Sequence, residues 1–490
     1  MLYMTRSIKN IFAPINRTPP EVLSLIPDYW DVGGGLIKLT HVCRSWREIF
    51  TSRASLWTFL NCTSLSKTRA YIQRSRESPL EISLAVRNYT CYHNTAFLLT
   101  LPHIGRLKAL TLYGPSDNIL NLTRHFDSPA PLLEKLEIHV CDIRIAVAEN
   151  TLFSGNLSSL RELRLSGVLT NLPWQNLMNL TTFDLRRVSA GKISVTRLLG
   201  FFEHAPLLRE IKLKDSLPNT SDAPVERLLP LPHLRLLGTS SLSENPTLLN
   251  HLHIPTGAVV ALEFKFLDEI SDYLPEPLDN LCNISRITSI NLGFGSGMAM
   301  RLKGPSGGLY VIGTWMAVGY VSPTLGFDTL QSLDRFCIST TERLAITRYR
   351  AGACMEDEVS GVFQIFFPMN NLRTLTLTEC NNLPFILALD PNHNTSDMVI
   401  CPKLEELVLY VQERDDPCID ELLAMAERRA SDGAKLSTVV IIHPRELAPE
   451  EKMLDLRSHV SRVEWRLDDT TPRWDILPGE TDKDCYDVGW

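Results

Sequence analysis

The sequence has no Cys-x-x-Cys pair, no long apolar run and no surplus of positive charge. Each absence removes a class of protein. Its eleven cysteines are scattered and odd in number, which fits free thiols in a reducing compartment better than a disulfide framework. No stretch approaches the length of a membrane span, and Met1 to Pro20 lacks the continuous apolar segment of a secretory signal. The expected location is therefore the cytosol or the nucleus. On that reading the sequons at Asn121, Asn179 and Asn283 are by-products of a Leu- and Asn-rich pattern. A net charge of −7 argues against a nucleic-acid or anionic-membrane partner, both of which call for basic patches. Much of that charge is local, since from Leu467 to Trp490 seven acids face only Arg473 and Lys483. The body is nearly neutral.

Signatures of catalysis are also scarce. Gly304-Pro305-Ser306-Gly307-Gly308 formally matches a nucleophile elbow, which sets its serine on a strained strand-to-helix turn. Here the following Leu309-Tyr310-Val311-Ile312 is strand-like, and Pro305 suits an ordinary turn. Gly293-x-Gly295-x-Gly297 lacks the spacing of a dinucleotide fingerprint. His204, His233, His251 and His253 have no companions at metal-ligand spacing. No catalytic residue, metal or cofactor is expected, and ester hydrolysis at Ser306 is the remote alternative.

What the chain does contain is a repeat. The pattern L-x-x-L-x-L recurs, with conservative swaps, around Leu110, Leu136, Leu163, Phe183, Ile211, Leu262 and Ile290, with a weaker copy at Leu237. After a gap it returns around Leu375, Leu407 and Val439, and a first strand is expected at Leu80–Leu84. Successive copies are 20 to 28 residues apart, lengthening to 32 at the end, close to the roughly 20–29 residues of a leucine-rich repeat. Helical patterns separate the strands at Val195–Phe202 and Ile419–Ala426, the second closed by Gly433. Pro131, Pro206, Pro232 and Pro402 each precede a strand and block helix continuation. The expected fold is α/β: a small N-terminal helical domain, then a curved solenoid with parallel strands inside and helices outside. Residues 293–340 break the period. Met298–Lys303 and Leu309–Thr314 read as two strands of an inserted hairpin around the Gly-rich turn.

At the N-terminus, Thr18-Pro19-Pro20-Glu21 reads as a helix start, with Thr18 as cap and Glu21 in capping-box position. Val22, Leu23, Leu25 and Ile26 follow before Pro27 and Asp28. Beyond Gly33-Gly34-Gly35, apolar residues return at Leu36, Leu39, Val42, Cys43, Trp46, Ile49 and Phe50, a helical period with one apolar face. Short helices this apolar need a partner surface.

Pro19-Pro20-Glu21-Val22-Leu23, the gap to Ile26, and Leu39-x-x-Val42-Cys43-x-x-Trp46 resemble the F-box, and Ser55-Leu56-Trp57 is similar to the segment that follows it. The sequence departs from the family at Thr18, usually leucine, at Pro27, where an aromatic is common, and in the three glycines. The resemblance implies that Pro20, Leu23 and Ile26 contact the Skp-type adaptor of a cullin–RING ubiquitin ligase. Leu36, Leu39, Val42 and Trp46 would extend that contact. The body resembles the repeat domain of F-box leucine-rich-repeat proteins, notably fungal ones. The whole would then be a substrate-recognition adaptor for an unidentified protein client. If the helices are only a cap on the array, the chain is instead a non-catalytic scaffold.

The expected organisation is a tail at 1–17, an F-box-like domain at 18–60, a linker helix at 61–78, the repeat domain at 79–466 and an acidic tail at 467–490. For the client, attention falls on the strand positions between the leucines, which point to the opposite face. They include Lys135, Glu137, His139, Glu162, Arg164, Asp184, Arg186, Glu210, Lys212, Lys214, Glu263 and Lys265. Arg164, Arg186 and Lys212 are the expected client contacts.

Overall fold

The computed structural model describes residues 14–26, 35–86, 91–142, 144–171, 177–188, 193–216, 228–241, 248–264, 274–294, 297–314, 329–349, 355–393, 399–411, 417–443 and 450–467. The chain divides into two compact units, Met1–Ser189 with Gly200–Leu208, and Ala190–Leu199 with Arg209–Trp490.

The first unit begins with short helices at Pro20–Leu23, Gly35–Leu39 and Arg44–Ser52. Thr18 does not cap the first of them. Its cap position is Pro19, without a side-chain bond, because the Pro-Pro step fixes an extended entry and leaves fewer N–H groups to satisfy. The apolar run from Leu36 to Trp46 is also not one helix. It breaks where the Thr40 hydroxyl donates to the Ile37 carbonyl (2.7 Å) and Cys43 is extended (φ −155°); side-chain competition of this kind weakens helix continuation. The Arg47 Nε–H then donates to the Thr40 carbonyl at 2.9 Å and closes the break. The linker helix spans Leu65–Ser75, and the Ser64 hydroxyl accepts from the Lys67 N–H (3.2 Å) as its N-cap.

Six strands form the first unit's sheet: β1 (Phe59–Leu60), β2 (Leu80–Ala85), β3 (Leu107–Gly114), β4 (Lys135–Val140), β6 (Glu162–Ser166) and β8 (Thr182–Arg186). All pair in parallel, in chain order. The register sets Leu110 beside Leu136, Leu163 and Phe183, and Leu112 beside Ile138, Leu165 and Leu185, and all eight are buried. The connections differ from expectation after β4. Instead of helices, β5 (Ala146–Thr151) and β7 (Val168–Asn171) pair in a second small parallel sheet. The 20-residue step from Leu163 to Phe183 leaves little room for a helical crossover, which accounts for the extended β7 but not for β5, whose step is as long as those of the earlier repeats.

In the second unit the strands are β9 (Glu210–Lys214), β11 (Leu236–Ser241), β13 (Val259–Phe264), β14 (Ser289–Phe294), β15 (Gly297–Lys303), β16 (Gly308–Thr314), β17 (Arg343–Thr347), β18 (Thr374–Thr378), β19 (Glu406–Tyr410), β20 (Thr438–His443) and β21 (Arg462–Leu467). A two-residue side ladder joins β10 (Leu229–Pro230) to β12 (Leu252–His253). The pairings run β9-β11-β13-β16-β15-β14-β17-β18-β19-β20-β21, parallel except where β15 meets β14 and β16. The hairpin therefore lies within the sheet, between β13 and β14. Its turn requires glycine, since a Cβ on Gly307 would come within 2.4 Å of the Thr256 and Ala258 carbonyl oxygens. β17, unforeseen in the sequence, fills the gap before Leu372.

Helices at Val195–Glu203, Met355–Phe366, Leu383–Leu389, Cys418–Ser431 and Glu450–His459 connect strands, and Gly433 (φ +78°) follows the fourth as its stop. Arg429 in that helix is fully buried and donates to the carbonyls of Ile400 (2.6 Å) and Cys401 (2.9 Å). The fold is mixed α/β with a large, mostly parallel sheet and helices.

Candidate functional site

The N-terminal helices have a small core of their own. Leu23, Leu39, Trp46 and Phe50 are buried together, with Ile26, Leu36, Cys43, Ile49 and Leu56 packed partly against them. The Trp46 and Phe50 rings meet edge to face at 5.6 Å. A second anchor follows in sequence. Trp57 is fully buried, donates its indole N–H to the Phe50 carbonyl (2.8 Å), meets Tyr71 edge to face at 4.9 Å and lies under the Arg74 guanidinium at 4.3 Å.

Of the seven residues expected to touch an adaptor, Leu23, Leu39 and Trp46 are spent inside this core, Ile26 and Leu36 are half-buried, and Pro20 and Val42 are exposed. Residues outside that set are more available. Val22 is 51% and Leu25 45% exposed, and with Pro20, Glu21, Ser24, Ile49, Ser52 and Arg53 they line an open groove of about 600 Å³. Arg53 donates to the Ser24 hydroxyl and carbonyl, fixing one wall. Helical periodicity gave no signal for Val22 and Leu25, because a four-residue helix is barely one turn.

On the strands, the side chains opposite the leucines make ion pairs with one another. Glu137, nearly buried, receives Lys135 and Arg164, each at 3.2 Å, and the Thr111 hydroxyl at 3.0 Å. Burial alone would raise its carboxyl, but the hydrogen bonds and charges of Lys135, Thr111 and Arg164 outweigh it and hold the group below the ordinary carboxylate range. Arg164 also reaches Glu162 (3.6 Å). Arg186 makes a two-point contact with Asp184 at 2.8 and 2.7 Å. His139 is half-buried, and burial, joined by the charges of Arg186 and Arg187, outweighs Glu137 and Asp184 to lower its pKa from 6.5.

Of the three expected client contacts, Arg164 and Arg186 lie on the first unit's sheet and Lys212 on the second's, where it pairs with Glu210 at 3.8 Å. Each already has a carboxylate. Lys265 lies outside the described residues.

Ser306 sits in the turn between two antiparallel strands and donates to the Thr256 carbonyl (3.3 Å). That is not the strand-to-helix elbow a nucleophilic serine needs. His204 contacts the Gly200 carbonyl (2.7 Å) and His253 the Cys282 thiol (3.5 Å). Among the described residues no three His, Cys, Asp or Glu side chains gather as metal ligands, and no helix is long and apolar enough to cross a membrane. No protein-family model matches the chain, and a search of curated proteins found no match.

Proposed function

We propose that the chain is a non-enzymatic substrate-recognition adaptor of a cullin–RING ubiquitin ligase of the SCF type, acting in the cytosol or nucleus. The helical cluster binds a Skp-type adaptor, and the strand array, read as a leucine-rich-repeat solenoid, holds a protein client. One observation carries the reading. A small cluster with its own core leaves Pro20, Val22, Leu25 and Val42 on its surface, around and beside an open groove. Apolar surface on a module this small is well suited to a partner. The regular return of buried leucines in register supports the array as a rigid platform.

The burial of Leu23, Leu39 and Trp46 favours a second reading, in which the helices only cap a scaffold. Val22→Asp with Leu25→Asp separates the two. Fully burying one such side chain contributes on the order of 1.5–3 kcal/mol, so losing both should weaken adaptor pull-down by well over about tenfold. Both positions are exposed, so circular dichroism and thermal melting should not change. If the double variant retains the adaptor at wild-type level, or the wild-type chain never captures it, the scaffold reading stands. Trp46→Ala is a poorer probe, since it removes part of the cluster's own core.

A further inference from the structure

In the second unit, β15 and β17 bring Lys303 and Arg343 to either side of β14. Lys303 on β15 stands opposite Ser289 on β14, and Ser289 stands beside Arg343 on β17. Arg301, two residues before Lys303, stands between Asn291 and Tyr310 and lies 5.9 Å over the Tyr310 ring. These residues alternate with Met300, Leu302 and Leu344, which are buried, so all of them share the face opposite the core. Adjacent strands are about 4.8 Å apart, so the Lys303 and Arg343 backbones are roughly 10 Å apart with Ser289 between them.

Among the described residues, Lys303 and Arg343 have no ion-pair partner. Several cations on other strands do: Lys135, Arg164, Arg186 and Lys212 each sit against a carboxylate. On the same face, the described carboxylates flanking the hairpin region are Glu263 and Glu406. Each is separated by a whole strand, β16 or β18, from the cation-bearing strands. Glu406 is moreover engaged by the Thr374 hydroxyl (3.4 Å). Around them, Gly308, Ala299, Gly293 and Ala345 on this face are small, and Tyr310 and Ile312 on β16 rise at its edge. The result is a low floor bordered by three cations and furnished with Ser289 and Asn291. Such a floor suits an extended chain, whose alternate side chains recur every ~7 Å, better than a globular knob.

We propose that Arg301, Lys303 and Arg343, about Ser289 and Asn291, form the docking site for an extended acidic peptide of the client protein. This names the client's chemistry and rests on the reading of the strand array as the client-binding part. The unpaired charges of Lys303 and Arg343, with Arg301 beside them, suit a short run of Asp and Glu. They are too few for nucleic acid, where specific binders commonly make about 6–10 phosphate contacts.

The test is fluorescence anisotropy with the full-length chain and a fluorescein-labelled peptide of alternating Glu and Ser, about twelve residues long, in about 50 mM salt, where exposed charges are little screened. The wild-type chain should bind the peptide. Lys303→Gln with Arg343→Gln should weaken binding by at least about tenfold. The charge-preserving exchange Lys303→Arg with Arg343→Lys should restore it. Lys108→Gln with Arg373→Gln, which removes cations already paired to Glu81 and Glu405, should change it less than about twofold. The proposal is overturned if the wild-type chain ignores the peptide, if the two Gln variants behave alike, or if a single-stranded oligonucleotide of the same length binds more tightly. Adaptor pull-down on the same variants should be unaffected, so failure of this site and failure of the ligase reading are told apart.

Discussion

On the first unit's strands, Glu137 lies between Lys135 and Arg164 and Asp184 holds Arg186, whereas on β15 and β17 of the second unit Lys303 and Arg343 have no described carboxylate partner. The apolar sides of the two sheets are built alike, from buried leucine and isoleucine in register. The difference is confined to the side chains that the core leaves free. A face that satisfies its own charges must break those pairs before it can offer a cation to a partner, and a face with uncompensated cations need not. Arg164, Arg186 and Lys212 are thus costlier client contacts than their charge suggests, and reversing them would place like charges beside Glu137, Asp184 and Glu210.

The comparison can be broken at its base. Leu163→Asp and Leu375→Asp each put a carboxylate at a fully buried position, and each should cost more than about 3 kcal/mol. Amide-exchange protection should be lost first on β4, β6 and β8 for the former, and on β17, β18 and β19 for the latter. A large effect in one and little in the other would show that the two cores are not equivalent.

Removing one acid sharpens the contrast. Glu137→Ala leaves Lys135 and Arg164 without their shared partner and should cost about 1.5–3 kcal/mol in chemical denaturation. Lys303→Ala should stay within about 0.5 kcal/mol. Equal costs would mean that the ion pairs of the first face contribute nothing.

Acid should act on the first face selectively. The folded-state pKa of Glu137 is depressed below its usual 4.5, so its contribution is present above that value and is lost as pH falls through the lower folded value. Exchange protection on β4 and β6 should weaken over that acidic range, and Glu137→Gln should flatten the dependence.

The smallest effect is expected at His139. Its lowered pKa means that the unfolded chain takes up the proton first, so a little stability is lost as pH falls from 6.5 towards the folded value. An NMR titration of the His139 ring should show a midpoint below 6.5. A midpoint above it would mean that Glu137 and Asp184 dominate the site.

Much of the fold was legible because a strand's period of two is local: Leu110, Leu136, Leu163 and Leu375 announced their strands one by one. β17 escaped because its Arg343-Leu344-Ala345-Ile346 stretch keeps only the last two apolar positions and follows a segment read as an insertion. The hairpin strands were legible, but their place between β13 and β14 was not, since pairing partners are set by long-range packing. The candidate sites followed the same division. Residue types such as Arg164 and Glu137 were visible, but only the register reveals that they neutralise each other. Leu23 and Leu25 are alike in sequence, and only the packing of three helices puts the first inside and leaves the second on the surface.

The in-sheet hairpin also bears on synthesis. A chain emerging from the ribosome completes β13 at Phe264, yet the strand that covers its edge, β16, begins only at Gly308. At roughly 5–20 residues per second, the edge of β13 waits several seconds for its partner. β14 arrives in the meantime, also parallel to its eventual sheet neighbour β17 and rich in the same alternating apolar residues. It is a ready competitor for that edge, which makes this region the natural place for a nascent chain to mispair and for a chaperone to be needed.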